Sequence, residues 1–176
     1  MIKKAYFAGG CFWGIEFHFE KLNGVISAIS GYMGGHIKNS DYQIVCSGFS
    51  GHLEVVEVTF DESVVSFEEL IKLFFEIHDF TQTNGQGPDI GSQYLSAIFY
   101  VDDEQKAISE KLILQLENRG FKVATSLYGL VPFYKAEEYH QDYIYKGDNA
   151  KQPYCTMVVI PKVEKFKKSF KELLKN

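Results

Sequence analysis

An apolar strand, two glycines, a cysteine and an amphipathic helix follow one another without a gap at the start of the chain, and this order constrains the fold most. Residues 2–8 read as a strand that Gly9-Gly10 stops. Phe12, Ile15, Phe19 and Leu22 then recur at helical spacing, and Gly24 stands where a C-cap glycine would end the helix. Cys11 therefore opens a helix directly after a sharp turn. Its sulfur is expected beside unpaired backbone N–H groups and the positive end of the helix dipole, which favour thiolate over thiol.

The remaining pattern alternates strands with helices. Residues 25–32 read as a second strand ending at Gly31 and the Gly34-Gly35 pair, and residues 53–60 are the clearest strand of all. A helix starts at Ser66, whose hydroxyl can form a capping box with Glu69, and it presents Phe67, Leu70, Ile71 and Phe74 on one face. Residues 81–93 are rich in Gly, Gln, Thr, Asn and Asp and read as a long functional loop. A strand at 94–101, a helix at 103–118, a strand near 122–127, a polar helix at 135–146, a strand at 156–160 and a helix after Pro161 complete the reading. No repeat or linker divides residues 1–176, so one α+β (α/β) domain is expected: two layers, with a central mixed β-sheet flanked by helices.

Composition narrows the function class. A net charge of −5 offers no attraction to phosphate, and Lys165, Lys167, Lys168 and Lys171 read as a solvated helix face, so no nucleic-acid binding is expected. The first residues carry too short an apolar run for a signal peptide or a membrane span, which makes the cytoplasm the expected compartment. Cysteines 11, 46 and 155 form no CxxC pair and no even-numbered framework. Closely spaced Cys and His ligand pairs are also missing, so metal binding is not expected.

Glu54 is a second anomaly. Alternation along the strand places it with Val56, Val58 and Phe60, opposite Leu53, Val55, Glu57 and Thr59. If its own face is buried, desolvation raises its pKa and the carboxyl can donate a proton near neutral pH; a strand-end residue reaching solvent is the plainer reading. Phe12 and Trp13, the chain's single tryptophan, can offer an apolar wall beside the sulfur, although Phe12 also fits the core stripe. Tyr42 and Tyr94 offer phenolic donors, and Asp89 can accept hydrogen bonds within its loop.

Gly10-Cys11-Phe12-Trp13-Gly14 resembles the active-site signature of the A-type peptide methionine sulfoxide reductases. The resemblance continues through Gly31-Tyr32-Met33-Gly34-Gly35, Tyr42 with Val45-Cys46-Ser47-Gly48, and Gly51-His52-Leu53-Glu54-Val55-Val56. It resumes at Gly87-Pro88-Asp89-Ile90-Gly91 with Gln93-Tyr94, and at Ala136-Glu137 with Tyr139-His140-Gln141. The resemblance implies a ferredoxin-like core and reduction of the S epimer of methionine sulfoxide, free or in proteins, as peptide-methionine (S)-S-oxide reductase. It implies no metal and no organic cofactor. In the roles it implies, Cys11 attacks the sulfoxide sulfur. Glu54 protonates or hydrogen-bonds the oxygen with help from Tyr42 and Tyr94. Asp89 orders the pocket, and Phe12 and Trp13 hold the methyl group.

Attack would leave Cys11 as a sulfenic acid, which a second thiol condenses to a disulfide and an external thiol such as thioredoxin reduces, completing protein repair after oxidative stress. Cys155, after Tyr154, is the candidate resolving cysteine; Cys46 or direct reduction by external thiol are the alternatives. If Cys155 starts a strand, a mobile end must bring it to Cys11. Leu95 stands where family members often carry Arg, Phe80 where they often carry Pro, and the tail lacks the glycine-rich stretch with a further cysteine seen in some members. A monomer is expected. Two rival readings remain at this point: a cysteine hydrolase pairing Cys11 with His52 or His140, and a non-enzymatic thiol sensor.

Overall fold

Six runs of extended chain hydrogen-bond into one sheet in the computed structural model, which describes residues 1–175. In chain order the elements are β1 (Ile2–Gly9), α1 (Phe12–Glu20), β2 (Val25–Met33), α2 (Tyr42–Cys46), β3 (Leu53–Asp61), α3 (Phe67–Ile77), β4 (Gly85–Gln86), β5 (Asp89–Ile90), β6 (Ser96–Tyr100), α4 (Asp103–Asn118), β7 (Ser126–Gly129), β8 (Tyr134–Lys135) and α5 (Ile160–Ser169). The sheet runs β7-β6-β1-β3-β2-β8, and β4 with β5 makes a separate two-stranded hairpin. Every neighbouring pair is antiparallel except β6 with β7, so the sheet is mixed. The four inner strands are connected β1-α1-β2-β3-α3-β6 and ordered β6-β1-β3-β2, which is the ferredoxin-like arrangement.

Burial alternates along the strands as the pleat requires. Val56, Val58 and Phe60 of β3 join the main core, whereas Leu53 and Val55 join a smaller cluster on the other face with Tyr6, Met33 and Phe99. Phe7 of β1 locks the helical layer to the sheet, with its ring centroid 4.9 Å from Phe19 of α1 and 5.0 Å from Phe74 of α3. The Ser66–Glu69 capping box forms as the sequence implies.

Several elements differ from the sequence reading, the loop at 81–93 among them, since it contains the β4–β5 hairpin. The apolar run after Cys155 is a π-helical turn, Cys155–Val159, that continues into α5. Cys155, Val159 and Val163 are buried together, a helical spacing of four, whereas Met157 is 76 % exposed, so only one helical face finds a core. Pro161 has no N–H to donate, which suits a widened turn just before it. Residues 135–146 form no helix: Tyr134 and Lys135 pair with β2, Glu138–His140 and Tyr143–Tyr145 are single 3₁₀ turns, and Asp142 is left-handed at φ 52°. Glu137, His140 and Gln141 use their polar side chains in tertiary hydrogen bonds instead of facing solvent. The strand near 122–127 begins later, at Ser126, and α1 ends at Glu20.

Gly31 lets β8 close on β2, because a Cβ there would lie 2.5 Å from the Tyr134 carbonyl oxygen and would collide with the Phe133 ring. Gly31→Ala should therefore push β8 away and lower unfolding stability by about 1–3 kcal/mol, as read by urea denaturation.

Candidate active site

Cys11 is the N-cap of α1, as its sequence context implies. The turn before it needs Gly10, which holds φ +94° and whose absent Cβ leaves room for Gln86, 2.6 Å from where that atom would stand. Gln86 is itself fixed by Asp79: it accepts from the Asp79 N–H at 2.9 Å and donates to the Asp79 carbonyl at 2.9 Å. The strand-glycine-helix junction is thereby packed against the β4–β5 hairpin.

Glu54 comes to the same place from β3. It is 2 % exposed, and its Oε1 accepts the Phe12 backbone N–H at 3.2 Å, on the first turn of α1. Its Oε2 is buried without a hydrogen-bond partner among the described residues. Burial pushes the carboxyl up to about 8; the Phe12 N–H opposes this and the charge of Asp89 adds to it. Glu54 is thus chiefly a neutral acid near pH 7, as a buried face implies.

The thiol departs from the expected thiolate. Burial pushes Cys11 well above the ordinary cysteine range and the Glu54 charge adds to it, whereas the Trp13 backbone N–H and the Tyr154 hydroxyl pull it down. The helix start is present, yet desolvation outweighs two donors. Because Glu54 is itself protonated near neutral pH, its opposition to the thiolate fades there.

Tyr154 was not singled out by the sequence. It donates to Asp89 Oδ2 at 2.6 Å, so Asp89 accepts from the segment before α5 and not from within its own loop. The same hydroxyl lies beside Cys11 and lowers its pKa, so Asp89 and the sulfur compete for its single proton. Burial raises the Tyr94 phenol, and the charges of Glu54, Cys46, Cys11 and Asp89 raise it further. Burial likewise raises Tyr42, whose hydroxyl bonds Cys46 and whose ring lies 4.5 Å from His140. Trp13 stacks on Tyr143 at 3.7 Å, and its indole N–H donates to His140 Nδ1 at 3.0 Å. Phe12 is 1 % exposed, 5.6 Å from Tyr32 and 5.2 Å from His140, so its ring is a core member and Trp13 is the more open of the two.

Polar groups of residues 136–142 hold this frame. Glu137 accepts from the Tyr32 hydroxyl, the Tyr42 N–H and the Tyr139 hydroxyl. Gln141 accepts the Ser30 N–H and donates to the Ser30 and Ala136 carbonyls. Their motif was visible in the sequence but carried no role there.

The two histidines of the hydrolase alternative are engaged elsewhere. His52 Nδ1 accepts the Gly35 N–H and its Nε2 meets the Ile37 carbonyl, so it braces a loop. His140 supports Trp13, and burial lowers its pKa. Cys46 ends α2 and is exposed, whereas Cys155 is buried with Ile144, Val159 and Val163. Cys155 therefore begins a helical turn and not a mobile strand end. Leu95 packs in the smaller core cluster, and Phe80 packs edge-on against Phe75 and Phe121. Glu16, Glu20 and Asp142 are the one acidic group among the described residues close enough to share an ion. Burial raises Glu16 to about 7 and Glu20 to about 8, and Glu16 hydrogen-bonds Ser30 and the Asp142 N–H, which suits shared protons.

Relatives of known family carry this architecture. Residues 3–174 match the family model described as peptide methionine sulfoxide reductase. A peptide methionine sulfoxide reductase MsrA of Nautilia profundicola is 50 % identical over 165 residues, covering 94 % of this chain and 94 % of that protein. Reduced Mxr1 of Saccharomyces cerevisiae superposes with a TM-score of 0.75 at 34 % identity, over 83 % of this chain and 86 % of that one. Mxr1 in complex with Trx2 superposes at 0.55 with 25 % identity, over 81 % and 84 % of the two chains. With a family model spanning nearly its whole length and half its residues shared with such a relative, the chain belongs to the peptide methionine sulfoxide reductases.

Proposed function

We propose that Cys11 and Glu54 together reduce the S epimer of methionine sulfoxide, free or protein-bound, to methionine. The observation that carries this reading is the unpartnered, buried Glu54 Oε2 beside the cysteine that opens α1. A sulfoxide oxygen leaves sulfur only if the charge developing on it is met by a proton or a fixed donor. A carboxyl held neutral by burial supplies that proton, and the Tyr42 and Tyr94 phenols, both raised by burial, remain protonated donors.

Cys11 sulfur bonds to the sulfoxide sulfur as Glu54 protonates the oxygen. The oxygen then passes to Cys11 as a sulfenic acid, methionine leaves, and the thiol's original proton replaces the one Glu54 gave. Asp89 fixes Tyr154, which in turn fixes the Cys11 sulfur. The methyl group rests against Trp13, with Phe12 behind it. The Tyr143 stack holds the indole in place.

For recycling, Cys155 is the proposed resolving thiol. It condenses with the sulfenic acid, releasing water, and an external dithiol such as thioredoxin reduces the resulting disulfide. Its burial in a helical turn means that residues 155–159 must unwind first. No helix among the described residues is long and apolar enough to cross a membrane. We place the enzyme in the reducing cytoplasm as a monomer that binds no nucleic acid, consistent with its negative charge.

Cys11→Ser should abolish sulfoxide reduction. Glu54→Gln should lower kcat by about 10²–10⁴-fold, the usual reach of general acid catalysis, while retaining the fold. The same variant reports the acid's ionisation through stability. A carboxyl raised from 4.5 to about 8 favours the fold at low pH and loses that contribution as pH climbs through this window. Glu54→Gln should thus gain more in thermal midpoint at the upper end of the window than at the lower; an equal gain throughout would mean that Glu54 is ionised in the fold. Cys155→Ser should leave single-turnover methionine release intact and slow thioredoxin-dependent turnover, and unslowed turnover would assign resolution to another thiol.

A further inference from the structure

A narrow cavity opens on Cys11, lined also by Gln86, Asp89, Tyr154 and one cation, Lys162 of α5. Lys162 is half-buried. Eight other lysines of the described chain, among them Lys3, Lys72 and Lys135, hold a carboxylate within 4.0 Å, but Lys162 is in none of these pairs. A partly buried ammonium without a paired carboxylate is costly, so its placement asks what charge it answers.

We propose that Lys162 is a positioning residue that acts through the Cys11 sulfur, stabilising its thiolate from across this cavity. The proposal rests on Cys11 being the nucleophile and adds a source of its activation. The Trp13 N–H and the Tyr154 hydroxyl, which shares its one proton with Asp89, oppose desolvation at the sulfur, and Lys162 is the cation that lines the same cavity. In the absence of sulfoxide the thiol proton leaves to solvent on ionisation, and in turnover an equivalent proton returns to Glu54; Lys162 keeps its own. Tyr154 and Lys162 both belong to the segment that ends in α5, so this segment brings a donor and a charge to the sulfur together.

The groups facing Lys162 come from four directions. Asp89 of β5, Asp79 after α3 and Cys11 favour its charged form, while burial opposes it. His18 of α1 and His78 at the end of α3 are each depressed chiefly by burial and further by the lysine charge. Both imidazoles are therefore neutral near pH 7 and leave Lys162 as the cation of this cavity.

Alkylation of the reduced protein by iodoacetamide across pH, with the Cys11 peptide quantified by mass, tests the proposal without sulfoxide. Its result is therefore separate from whether Cys11 reduces substrate, which Cys11→Ser decides. Lys162→Met and Lys162→Gln should move the alkylation midpoint up by about one pH unit, and Lys162→Arg should return it close to wild type. An unchanged midpoint in the neutral variants, or a shift in Lys162→Arg as large as theirs, would overturn the assignment. So would loss of fold in both neutral variants, because the lysine would then serve stability.

Discussion

The site depends on one hydrogen bond across the core, from the Phe12 N–H to Glu54 Oε1. It ties the first turn of α1 to β3 and satisfies one orphan donor of the helix start. It also holds a carboxyl where water cannot solvate it, so the acid keeps its proton and its second oxygen stays available. A solvated carboxylate would stabilise the helix start equally well and could not donate. Burial makes the difference between a cap and an acid.

Around this pair the chain spends its polar residues on position. Gln86 occupies the space that Gly10 leaves and keeps the junction before Cys11 tight. His140 serves Trp13, Glu137 serves Tyr32 and Tyr42, and Asp89 serves Tyr154. His140 and Glu137, with Tyr154 itself, come from residues 134–162, the segment between β8 and α5. Cys11 caps α1 and Glu54 lies on β3, and the later segment packs its polar side chains around the two. Cys155 belongs to that segment and lies next to Tyr154, buried with Val159 and Val163.

Much of this was legible in the sequence, for identifiable reasons. Strand alternation placed Glu54 among Val56, Val58 and Phe60, and the helix period placed Cys11 at a helix start. Two local patterns misled. The run Met157-Val158-Val159-Ile160 has strand composition, but its buried members follow Cys155-Val159-Val163, and tertiary packing of one face overrides β-branched propensity. The stretch 135–146 read as a polar helix, whereas Glu137, His140 and Gln141 are buried or bonded inward. Polarity alone does not tell an exposed side chain from a satisfied buried one. The raised Cys11 thiol was hidden for the same reason, since the helix start is local and desolvation is tertiary. Tyr154 escaped notice among eleven tyrosines because its value lies in partners distant in sequence.

The protonation state of Glu54 in the reduced protein is the quantity on which the account stands. Following its side-chain carboxyl by ¹³C NMR across pH, with the signal assigned by its loss in Glu54→Gln, measures that state directly. A midpoint near 8 is the predicted result. A midpoint at the ordinary glutamate value of about 4.3 would mean an ionised group beside Cys11 and would contradict the proton-donor mechanism.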